Sequence, residues 1–132
     1  MKHTNPPSLS QPRGYSHVVE VTGGRTIYVS GQVAIDEEGR VVGEGHFETQ
    51  TQKVFENLRA ALAAADATLE DVVKITVFVT DMAQLPTFRA VRNAYFRGSP
   101  PASTLVEVSS LVLPELLIEI EAVAVVGASP RS

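Results

Sequence analysis

The chain has 132 residues, 44% of them apolar, with 11 Lys plus Arg, 15 Asp plus Glu and no cysteine. That length fits one domain with a real core, and a net charge of −4 argues against a broad nucleic-acid or acidic-membrane surface, which needs clustered cations. The lack of cysteine excludes a disulfide framework, a thiolate zinc site and a cysteine nucleophile, and with neither a leader-like apolar run nor an apolar stretch long enough to span a bilayer, a cytoplasmic protein is expected.

Residues 1–14 are rich in Pro, Ser and Asn without a period and read as an N-terminal arm. The domain is expected over 15–126, with a short tail over 127–132. Residues 15–21 alternate, and Thr22-Gly23-Gly24-Arg25 reads as a hairpin turn into a strand over 26–30. Gly31 and Gln32 suggest a bulge or a close backbone approach. A helix is expected over 47–65, with Val54, Leu58, Ala61, Leu62 and Ala65 on one stripe and Phe55 at its edge.

A strand follows over 72–80. Val73, Ile75, Val77 and Val79 share one face; Val72, Lys74, Thr76, Phe78 and Thr80 share the other. Pro86 suits the first turn of a second helix, whose apolar stripe is Leu85, Phe88, Val91, Tyr95 and Phe96. Two strands complete the chain, over 103–108 and 117–125. In the last, Ile118, Ile120, Ala122 and Ala124 face one way, and Glu119, Glu121, Val123 and Val125 the other. Adjacent carboxylates on one strand face are costly if buried without donors, a metal or a proton, so both glutamates are candidate functional residues.

The resulting fold class is α+β, a mixed sheet with two helices on one face. The other face, where Val72, Phe78, Val123 and Val125 are expected, has no cover in the chain, which points to oligomerisation. Tyr28 and Tyr95 read as core. His3, His17 and His46 lack metal-ligand spacing.

Several motifs come in a familiar order: Ser30-Gly31-Gln32 after a strand, the helix over 51–65, the strand over 73–81, Pro101-Ala102-Ser103-Thr104, and Ile118-Glu119-Ile120-Glu121-Ala122. Together, over about 15–125, they resemble the RidA/YjgF family, whose older names include endoribonuclease and translation inhibitor. The resemblance implies a chorismate-mutase-like fold and a homotrimer with clefts between subunits for small carboxylate or imine metabolites. It implies no metal, organic cofactor, nucleic acid or membrane. Active members hydrolyse reactive enamines and imines to 2-oxo acids and ammonia. In the resemblance, Glu119 is the catalytic acid/base or water-positioning residue, and Ser30, Gly31, Gln32, Thr104 and Glu121 line the pocket. Tyr15, in preference to His17, supplies an aromatic hydroxyl. The family's deaminase motif has a carboxylate-clamping arginine where this chain has Ser103. One hydroxyl cannot hold a carboxylate bidentately, so a metabolite-binding protein of altered activity is expected. The alternative is an active deaminase in which Arg89 of the second helix supplies the guanidinium, with Arg92 and Arg97 as further candidates. RNA cleavage rests on the historical name alone and runs against the acidic charge.

Overall fold

The second alternating run, Ile118-Glu119-Ile120-Glu121-Ala122, becomes the strand on which the fold is assembled. The computed structural model describes residues 1–128; the expected tail therefore lies, from residue 129 on, outside the described residues. The elements are β1 (Lys2–Thr4), β2 (Val18–Glu20), β3 (Arg25–Val33), α1 (Phe47–Ala63), β4 (Val72–Val79), α2 (Leu85–Tyr95), β5 (Ala102–Glu107) and β6 (Ile118–Val126). The main sheet has the order β3-β6-β4-β5. β6 is antiparallel to both neighbours, and β5 runs parallel to β4. A parallel pair needs a crossover, which α2 provides.

The expected α+β architecture is the observed one. Ile118, Ile120, Ala122 and Ala124 of β6 are buried, as are Val54, Phe55, Leu58 and Leu62 of α1. Each large apolar side chain fully buried this way contributes roughly 1.5–3 kcal/mol. Phe55 ties the helices together: its ring centroid lies 4.8 Å from that of Tyr95 and 6.3 Å from that of Phe88, both on α2. Tyr95 packs against the core and donates its hydroxyl to Glu56 Oε2 at 2.7 Å.

The structure corrects several expectations. β2 does not form a hairpin with β3; it pairs with β1, inside the segment read as an arm. The cause is a distant contact. Ser16 N–H donates to the Pro101 carbonyl at 3.0 Å and Ser16 Oγ to the Pro100 carbonyl at 2.6 Å. That pins the chain at the β5 edge, whereas β3 forms the opposite edge. Tyr28 is not core: it alternates with the inward-facing Ile27 and Val29, and is 80% exposed on the open sheet face. Val72 leaves that face because the β4–β6 register shifts between Val72 and Lys74, turning it into the core. Val125 is also buried, where Gly24 packs against it.

Gln50, fully buried on α1, is a polar residue and not a member of the apolar stripe. Its Nε2 donates to the carbonyls of Gly43 (3.2 Å) and Glu115 (2.9 Å), and its Oε1 accepts from Leu117 N–H at 2.9 Å. It thereby fixes the loop before α1 and the entry to β6. A buried group left unpaired costs about 1–3 kcal/mol. Gln50→Leu should therefore lower unfolding free energy by at least about 2 kcal/mol in a urea titration, with helix content unchanged by circular dichroism.

Candidate anion-binding cavity

A cavity of about 290 Å³ lies where the segment before β2 crosses α2 and β5; Arg13, Tyr15, Phe88, Arg89, Arg92 and Ser103 line it. Ser103 belongs to the helix side of the sheet, since it pairs with the buried Ile75. α2 presents Phe88, Arg89 and Arg92 over successive turns. The Ser16 anchor holds Arg13 and Tyr15 over them.

Arg92 is only 5% exposed. Its Nη2 donates to the Arg13 carbonyl and to Asn93 Oδ1, both at 3.2 Å, and its Nε donates to Asn93 Oδ1 at 3.3 Å. Its Cζ stands 5.6 Å from the Phe88 ring centroid. All these partners are neutral. Among the described residues no carboxylate forms an ion pair with Arg13, Arg89 or Arg92. Burial works against the charged form of Arg92 and lowers its pKa, and the like charge of Arg89 adds to this. Gly14 has φ +77°, and a Cβ there would run into the Arg92 guanidinium. Only glycine lets the backbone settle on that group without strain.

The cavity brings together three residues expected from sequence, Tyr15, Arg89 and Ser103. His17 lies outside the lining; its ring nitrogen hydrogen-bonds the Ser10 carbonyl at 2.8 Å. Arg97 is elsewhere, donating to the Ala94 carbonyl at 3.3 Å. Arg92 moves from secondary candidate to centre. The sequence carried a signal for it: Arg92 follows Phe88 by four residues and so shares the apolar face of α2. Arg13 gave no such signal, because it lies in an aperiodic segment.

The remaining expected residues form a second group on the open face. Glu119 pairs in register with Phe78, and Glu121 with Thr76, which also pairs with Thr104. Lys74 Nζ donates to Thr104 Oγ1 at 2.7 Å. Glu119 is half-buried and Glu121 exposed. Ser30 and Gly31 form a bulge in β3, with the register shifting between Val29 and Gln32, and Gln32 Nε2 donates to the Ser30 carbonyl at 3.1 Å. Gly31 lies so close to Glu119 that a Cβ would strike the carboxylate. The bulge and the close approach are thus both present. Ser103 and Glu119, however, project from opposite faces of one sheet.

A larger hollow, about 520 Å³, opens at the start of α1 between His46, Glu48, Thr80 and Asp81. It holds none of the expected residues and no buried charge. Among the described residues, no three His, Cys, Asp or Glu side chains converge to hold a metal ion, and no helix is long and apolar enough to cross a membrane.

Comparison with known proteins gives a consistent picture. The sequence model of the family described as endoribonuclease L-PSP matches residues 7–126. A RutC family protein of Pyrococcus abyssi is 42% identical over 110 residues, covering 83% of this chain and 84% of the relative. The mouse protein called 2-iminobutanoate/2-iminopropanoate deaminase is 37% identical over 113 residues, covering 86% and 82%. A crystal structure of a Rid-family protein of unknown function from Yersinia pestis superposes with a TM-score of 0.88 at 39% identity, covering 95% of this chain and 98% of that one.

Gly14 and Gly45 offer a matched test of the contact with Arg92. Both have φ +77°, but a Cβ at Gly45 would meet nothing within 4 Å. Gly45→Ala should cost only the left-handed penalty, about 1–2 kcal/mol. Gly14→Ala should cost measurably more in the same urea titration, because the guanidinium must also move.

Proposed function

The chain belongs to the endoribonuclease L-PSP family, the RidA/YjgF proteins, and on that premise we propose that it binds a small 2-imino acid and hydrolyses it to the 2-oxo acid and ammonia. The observation that carries this reading is Arg92, buried beside Arg89 with no acid to pair with. A guanidinium in that setting is suited to a carboxylate, to which its Nη1 can donate while Nε and Nη2 hold it in place. Arg89 and Arg92 of α2 then take over the clamping that Ser103 cannot perform. Ser103 and Tyr15 add hydroxyls at the rim.

The reaction needs little beyond positioning and a proton. Water adds to the imine carbon, the nitrogen gains a proton, and the C–N bond breaks to leave the carbonyl and ammonia. Glu119 is the group for the proton transfers. Since it lies across the sheet from Ser103, it must come from a neighbouring copy. The open face supports such an assembly: Tyr28 is 80% and Val106 39% exposed there, beside Phe78 and Val123. In this reading three copies turn these faces inward and share the clefts, and no metal or organic cofactor takes part. The separation of Ser103 from Glu119 also favours a second reading, metabolite binding without hydrolysis, should assembly not reunite the two groups.

Three measurements test the reading. Coupled to a dehydratase that generates 2-aminoacrylate, the protein should accelerate pyruvate release over buffer; no acceleration would leave only the binding reading. Arg89→Ala should raise KM with a smaller effect on kcat, whereas Glu119→Gln should lower kcat by roughly 10²–10⁴. Sedimentation at micromolar concentration should give a species larger than a monomer, and a monomer would rule out the shared cleft.

A further inference from the structure

We propose that the preferred ligand is a dicarboxylate: a 2-imino or 2-oxo acid whose side chain ends in a second carboxylate. This rests on the carboxylate-binding reading above and extends it to the substrate class. One carboxylate accepts one guanidinium fork. Three arginines, Arg13, Arg89 and Arg92, line the cavity, and no acidic residue does. A monocarboxylate would leave two of the three cations uncompensated in a partly desolvated space. A dicarboxylate leaves one. The concentration of charge is notable in a chain whose net charge is −4.

The arrangement also distinguishes the two ends of such a ligand. Arg92 is buried and already engaged through Nε and Nη2, which leaves its Nη1 for the deeper carboxylate, with Arg89 alongside. Arg13 is exposed and lines the same cavity. Its carbonyl rests on Arg92 at 3.2 Å, which makes the two arginines neighbours at the cavity. Phe88 and Leu105 supply apolar wall for the carbons between.

Titration calorimetry on the full chain at low salt tests this with product analogues. The probes are 2-oxoglutarate and 2-oxohexanoate, which are similar in length but differ in the second charge. We expect 2-oxoglutarate to bind about tenfold more tightly, the worth of one additional charge-assisted pair. Arg13→Gln should bring the two affinities within about twofold of each other, chiefly by weakening 2-oxoglutarate. The backbone carbonyl that holds Arg92 survives this substitution, so the fold is not at stake. Equal affinities for the two acids in the unmodified protein would overturn the dicarboxylate proposal while leaving carboxylate binding intact. A preference that persists in Arg13→Gln would overturn the role given to Arg13. Failure of both acids to bind would remove the carboxylate reading itself.

Discussion

A charge taken out of water must be compensated, and the compensation for Arg92 organises everything around the cavity. Desolvating an ion costs several kcal/mol unless hydrogen bonds replace the lost water. Here the replacements are the Arg13 carbonyl, the Asn93 side-chain amide and the face of Phe88, which is attractive to a cation. None of them is charged. They satisfy the geometry of the guanidinium without cancelling its field, so positive potential remains for a ligand. This is a different solution from an internal salt bridge, which would be neutral and closed.

That arrangement is built from parts far apart in the chain. Ser16 and Pro100 are separated by 84 positions, yet their hydrogen bond determines where Arg13 and Gly14 come to rest. Such a contact leaves no local trace in the sequence, which explains why residues 1–14 read as an arm and residues 15–21 as half of a hairpin. By contrast, features set by local periodicity were legible. The alternation of β6 and the apolar stripe of α1 follow from spacing, and the bulge at Gly31 from residue type, and the structure has each of them.

Two rules fail at different places. Residue type puts Tyr28 in the core, although its own strand's alternation sends it outward. Strict alternation puts Val72 on the open face, but one register shift beside Lys74 reverses it. Arg92 ranks behind Arg89 among the expected arginines, although its spacing from Phe88 puts it on the apolar side of α2. Periodicity is right for Tyr28 and Arg92, and fails for Val72 because the strand is irregular there.

The two halves of the site are equivalent in one respect. On one face of the sheet Gly14 makes room for the Arg92 guanidinium; on the other, Gly31 makes room for the Glu119 carboxylate. In each case a backbone without a Cβ lies directly against a charged group, and any larger residue would displace it. Two groups of opposite charge are thus held in place by close backbone contact on opposite faces of one sheet. Rigid positioning of this kind serves catalysis only if the groups meet the same ligand, and within one chain the sheet stands between them. On the proposed reading, hydrolysis therefore depends on how copies associate, whereas anion binding by Arg92 and its neighbours does not. On that reading, sequence changes on the open face alter the reaction while leaving the ligand cavity as it is.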